Sequence, residues 1–205
     1  MGLVNSRTSY GTVARSFHWI IAVLIVAQYI LAPVQEILAP ESRIPAPFGI
    51  DKLRLLPLHQ SFGMTVLALM VLRLLWRRRS PPPELPAGMK PLERRLANLS
   101  HTAFYVILFA MPLSGWLMAS AKGTSATWFG LWNWPRLLPK SDALFEAMHS
   151  THETLKVVLF FLALLHIGAA LKHQFWNKDG VLMRMLPFGG SGAASPQEAG
   201  KPADE

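Results

Sequence analysis

Two histidines on one apolar stretch, His152 and His166 in HETLKVVLFFLALLHIGAALKHQFW, carry the most legible chemistry in this chain. They lie fourteen residues apart. On an α-helix, at about 100° per residue, that separation falls about 40° short of four full turns. Both imidazoles therefore point the same way, roughly 21 Å apart along the axis. Two other apolar stretches carry one histidine each near an end: His18 in SFHWIIAVLIVAQYIL and His59 in LHQSFGMTVLALMVLRLLW. Four imidazoles on three helices can ligate two metals, two to each. Neutral imidazoles facing one another across apolar space suit the iron of a b-type haem ligated on both faces. With both axial positions filled, such an iron carries single electrons and does not readily bind oxygen. Zinc and copper normally take more ligands at one level, such as an additional carboxylate or thiolate, and none sits at the level of His18 and His166.

The elements that must position these residues are apolar helices. Four long runs dominate the 205 residues, roughly Phe17–Ile37, Leu58–Trp76, Ala103–Ala121 and Val157–Trp176. Each is close to the roughly 20 residues that a bilayer-spanning helix needs. The first run lacks a small-residue cleavage site and holds His18, Gln28 and Tyr29. It is longer than the apolar region of a signal peptide and is read as a retained first helix. The expectation is an all-α membrane protein: one four-transmembrane-helix bundle over residues 1–187, enclosing two b-type haems, followed by a tail at 188–205 of linker composition, expected to be disordered. Absence of cysteine excludes disulfides, thiolate-bound clusters and haem attached through thiols.

The formal charge of +8 is unevenly spread. Arg7 and Arg15 precede the first helix. Arg77, Arg78, Arg79, Lys90, Arg94 and Arg95 lie between the second and third. Lys172, Lys178 and Arg184 flank the end of the fourth. The positive-inside rule then places both termini and the middle loop in the cytoplasm. Nucleic-acid binding, the rival reading of a basic chain, fails because the cations bracket apolar helices and do not stripe a soluble face. With this topology His18 and His166 share the inner level, while His59 and His152 share the outer one. Loop charge and ligand spacing are independent, so their agreement is an internal check.

Helix starts are expected near Val13, Pro57, Leu92 and Met148, with Pro57 in a first turn and His149 before the fourth helix. Pro33 is placed near the outer end of the first helix. Pro112 and Gly115 imply a kink and a close-packing face in the third. The second outer loop carries Trp128, Phe129, Trp132 and Trp134. These aromatics suit the headgroup belt, and a short amphipathic segment lying on the membrane is expected there.

Supporting residues follow from spacing. Gly63, one turn after His59, leaves room for a porphyrin or for a neighbouring helix; Gly168 does the same near His166. Arg73 is fourteen residues after His59 and so faces the same way at the inner level. A haem propionate would partner it there, or it snorkels to the inner surface. Glu153 and Lys156 either pair with each other or reach the propionates of the outer haem. His173 continues the His166 stripe inward, and His101 opens the third helix on the same side. With Trp176 they would frame a quinone pocket, since interfacial histidines offer both hydrogen bonds and a proton route.

The chain resembles the bacterial cytochrome b561 family over about residues 10–187. The motifs are SFHW, LHQSFG with the later VLRLLWR, SHTAFYVILFAMPLSG, HETL, and LHIGAALKHQFWNKDGVLMRMLP. The resemblance implies a four-helix, two-haem protein of the bacterial inner membrane, with His18, His59, His152 and His166 as ligands and quinone near His101 and His173. Lys156 does not carry over from the family. The family includes superoxide oxidase, which passes electrons from superoxide to ubiquinone. That activity is the first functional expectation, with superoxide or another small donor arriving on the periplasmic side, where Lys122, Arg136 and Lys140 are placed to steer an anion. The alternative is a haem-b electron-transfer or anchor subunit of a larger dehydrogenase or hydrogenase complex. A third reading is a non-redox membrane protein that moves protons or metal ions.

Overall fold

In the computed structural model, residues 2–37 and 52–186 are described. The expected disordered tail and most of the first outer loop lie outside them. Four helices follow in order: α1 Thr12–Ile37, α2 Lys52–Arg79, α3 Pro91–Ala121 and α4 Asp142–Lys172. A two-stranded hairpin, β1 Thr127–Trp128 and β2 Trp132–Asn133, stands between α3 and α4. A five-residue π-helical turn, His173–Asn177, ends the bundle. All four helices contain a stretch long and apolar enough to cross a membrane.

α1 packs on α2, α2 on α3 and α3 on α4, whereas among the described residues no Cα of α4 comes within 8 Å of a Cα of α1 or α2. The seam between α4 and the first two helices is therefore spanned by side chains. Between the two histidine levels it is filled by Ile21, Val66, Met70, Ile107, Leu108 and Leu159. Lipid is as apolar as this core, so packing and hydrogen bonds hold the helices together more than the hydrophobic effect does. Between helices, Gln28 Nε2 donates to the His59 carbonyl at 3.0 Å and Tyr29 Oη to the Lys156 carbonyl at 2.6 Å, tying α1 to α2 and to α4. The buried hydroxyls of Ser61 and Ser120 instead bond within their own helices, each donating to the carbonyl four residues back, Pro57 at 2.6 Å and Trp116 at 2.9 Å.

Several boundaries differ from the sequence expectation. α2 begins at Lys52, so Pro57 lies inside the helix. A proline this near a helix start removes one intrahelical hydrogen bond, and its own carbonyl is used by Ser61. α4 begins at Asp142 and not at Met148. Ser141 caps it through Leu144 N at 3.4 Å, and Asp142 favours the positive helix end. His149 is thus an exposed helical residue, stacked on Phe145 at 5.8 Å. α3 runs unbroken through Pro112.

The second outer loop forms the hairpin in place of a membrane-lying amphipathic segment. Its turn uses left-handed backbone at Phe129 (φ 51°) and Gly130 (φ 72°). It is docked on α2, with Phe129 N bonded to Ser61 Oγ at 2.7 Å and Thr127 N to Gln60 Oε1 at 3.2 Å. Trp128 Nε1 adds a bond to Thr65 Oγ1 at 3.0 Å.

The opposite end is closed by three segments. Asn5 N bonds Ser80 Oγ, and Asn5 Nδ2 bonds the Ser80 carbonyl, both at 2.9 Å. Arg184 Nη1 reaches the Glu84 carbonyl at 2.9 Å, and Trp19 Nε1 the Met185 carbonyl at 2.8 Å. The N-terminal arm, the α2–α3 loop and the segment after the π-turn thus make one cap.

Candidate metal centres

α4 presents His152 and His166 on one face, and α1 and α2 each bring one imidazole to meet them. The His18 and His166 rings lie 6.3 Å apart, centroid to centroid, and the His59 and His152 rings lie 6.2 Å apart. Two imidazoles bound to one metal at about 2 Å place their centroids about 6 Å apart. Both pairs are therefore spaced for one atom between them. Among the described residues no three His, Cys, Asp or Glu side chains gather as a metal site. Each level holds a facing imidazole pair, with His101 a further neighbour of His166 at the first, and such a pair fits a haem iron ligated on both faces.

The two levels differ in detail. His152 Nδ1 lies 3.1 Å from the Met111 carbonyl and 2.9 Å from Ser114 Oγ. His59 Nδ1 is buried with no hydrogen-bond partner, while its backbone carbonyl accepts from Gln28 Nε2 at 3.0 Å. Gly63 stands beside that bond: a Cβ there would sit 3.4 Å from Gln28 Nε2. The space the glycine leaves is thus used by α1. Lys156 pairs with Glu153 and lies within Coulombic reach of His59. The Lys156 carbonyl accepts from Tyr29 Oη at 2.6 Å. Gly168 has nothing within 4 Å of where a Cβ would be.

At the other level His166 has further ring neighbours, Phe104 at 5.2 Å and His101 at 5.8 Å. Arg73 lies within Coulombic reach of both His18 and His166. Its guanidinium is 5.8 Å from the centre of the Tyr105 ring, and that of Arg77 is 5.5 Å from it. Tyr10 of the arm joins this cluster. Burial pushes its hydroxyl above the ordinary tyrosine value, against the opposing pull of Arg77 and Arg73.

His101 lines a pocket of about 370 Å³ with Arg77, Asn98, Thr102 and Tyr105. His173 and Trp176 do not line it. His173 is buried in the π-turn, its Nδ1 2.5 Å from Asp179 Oδ2 and 3.1 Å from Asn177 Nδ2. Trp176 is 85% exposed. The structure therefore does not gather the three expected quinone residues in one cavity. It adds Arg77, Asn98 and Tyr105, which sequence reasoning passed over. The signal was available: Asn98, His101, Thr102 and Tyr105 follow a 3–4 residue spacing along one face of α3.

Residues 9–188 match the family described as prokaryotic cytochrome b561. Cytochrome b561 homolog 2 of Escherichia coli (strain K12) is 31% identical over 195 residues, covering 91% of this chain and 95% of that protein. The probable superoxide oxidase CybB of Yersinia pestis is 28% identical over 182 residues, covering 87% and 96%. Cytochrome b561 homolog 1 of Escherichia coli (strain K12) is 31% identical over 129 residues, covering 63% and 73%.

Proposed function

The chain belongs to the prokaryotic cytochrome b561 family of haem b membrane electron-transfer proteins, and from that premise we propose that it is a di-haem oxidoreductase of the bacterial inner membrane that passes electrons from a small periplasmic donor, first of all superoxide, to ubiquinone. The observation that carries the reading is the pair of matched imidazole separations, 6.3 and 6.2 Å, on opposite sides of an apolar layer. His18 and His166 would hold one haem, and His59 and His152 the other. Haem b with two imidazole ligands supplies one-electron carriage without oxygen binding.

The protein's own residues supply the rest. Arg73, within reach of the first pair, offers the cation that a buried propionate requires; Lys156 is the counterpart at the second. Gly63 keeps the His59 turn slim enough for α1 and its Gln28 to close on it. His101, with Arg77 and Tyr105 beside it, offers hydrogen bonds to quinone carbonyls and a proton on the cationic, cytoplasmic side. His173 and Trp176 flank that side along the π-turn, with His173 fixed by Asp179. The cations of the capped end, from Arg7 to Arg184, support cytoplasmic termini. The superoxide reading is supported by the name of the Yersinia relative. Support also comes from the convergence of Arg136 and Lys140 on Gly123, next to Lys122, at the other end.

The test is to assay the purified chain alone for superoxide consumption coupled to quinol formation. Coupled turnover is the expected result. A haem-loaded chain inert toward both would instead mark an electron-transfer or anchor subunit that needs a docked partner.

A further inference from the structure

The α3 sequence Met111–Gly115 wraps the His152 imidazole. Ser114 is buried, and its hydroxyl donates to the Met111 carbonyl at 2.7 Å. That carbonyl also lies 3.1 Å from His152 Nδ1. A carbonyl cannot donate, so the contact requires a proton on Nδ1. The Ser114 proton is already committed to Met111, so its oxygen turns a lone pair toward the same Nδ1–H at 2.9 Å. The tautomer is thereby fixed and Nε2 is left bare. Gly115 completes the seat. A Cβ there would lie 3.3 Å from His152 Cε1 and 3.6 Å from Nδ1, and a ring tied at Nδ1 can give way only by losing its bonds. His59 has no such tether: its Nδ1 is buried and unpartnered.

We propose that Ser114 is a positioning residue for His152. With the Met111 carbonyl it holds the Nδ1–H form, aims Nε2 into the space shared with His59, and raises the donor strength of that nitrogen. Gly115 clears the ring's seat. The inference rests on the haem assignment to His59 and His152. It makes the two levels electronically unequal: the tethered ligand is the stronger donor and favours the ferric state at its own level.

The experiment is a spectroelectrochemical titration, with electron paramagnetic resonance of the ferric haems, on the full chain carrying Ser114→Ala, Ser114→Thr or Gly115→Ala. The His152-dependent haem is identified as the one that His152→Ala removes. In Ser114→Ala its reduced-to-oxidised ratio at fixed potential should rise roughly threefold or more. Its low-spin signal should shift as well, while the other haem is unchanged. Ser114→Thr should restore both properties, and Gly115→Ala should perturb the same haem alone. If Ser114→Ala sheds haem, loss confined to that level and reversed by Ser114→Thr carries the same meaning. An unaltered potential and signal in Ser114→Ala, or Ser114→Thr behaving as Ser114→Ala does, overturns the proposal. Absence of any haem that depends on His152 in the unmodified chain would sink the underlying assignment instead.

Discussion

The imidazole centroids of His18 and His166 stand 6.3 Å apart across the α1–α4 seam, although among the described residues no Cα of one helix lies within 8 Å of a Cα of the other. Side chains reaching across a gap that wide leave room for a flat group between the helices. His59 and His152 repeat the arrangement at 6.2 Å between α2 and α4. A shared spacing on different helix pairs is what two equivalent centres require.

His101 is a second imidazole neighbour of His166, closer than His18 by centroid distance. We propose quinone chemistry for it and not ligation, because it lines the pocket with Arg77 and Tyr105. His101→Ala should keep the full haem content and slow quinol formation by about 10-fold or more. Haem quantification beside quinone kinetics on the same preparation checks this. Loss of one haem in His101→Ala would make it the ligand in place of His18.

Arg73 places a cation near the His18/His166 level. A nearby cation favours the reduced, less positive iron. Arg73→Gln should therefore lower the midpoint potential of that haem, by on the order of 1 kcal/mol at an effective dielectric of about 20. Arg73→Lys should retain most of the effect. A redox titration decides; a shift in the His59/His152 haem alone would contradict the placement.

Topology can be read directly because the chain has no cysteine of its own. Gly88→Cys, in the α2–α3 loop, and Ser125→Cys, before the hairpin, both fall at exposed positions. In intact spheroplasts a membrane-impermeant maleimide should label position 125 only, with position 88 labelled after permeabilisation. The reverse pattern would invert the bundle and move the His101 pocket to the periplasmic side.

Much of the architecture was legible because it is written in local periodicity. Apolar runs set the four helices, and the fourteen-residue interval placed His152 and His166 on one face. What was not legible depends on partners distant in sequence. The hairpin is held by Ser61 and Gln60 of α2, which no loop composition reveals. The N-terminal arm is tied by Asn5 to Ser80, 75 residues away. The first four or so turns of α4, Asp142 to Lys156, precede its apolar run, so only the Ser141 cap marks their start. In the candidate site, His173 is on the expected stripe, but the π-turn and Asp179 hold it apart from the His101 pocket. Ser114 carried no signal of its own, since a serine two residues after Pro112 in an apolar helix is ordinary until His152 is folded against it.

The most direct test of the central claim is haem stoichiometry by the pyridine haemochrome method on the unmodified chain and on the four single His→Ala variants at 18, 59, 152 and 166. Two haem b per chain are expected, and one in each variant. The His18 and His166 variants should lack the same haem, and the His59 and His152 variants the other, as told by their reduced-minus-oxidised spectra and potentials. A single haem in the unmodified chain, or the same haem missing from the His18 and His59 variants, would contradict the claim.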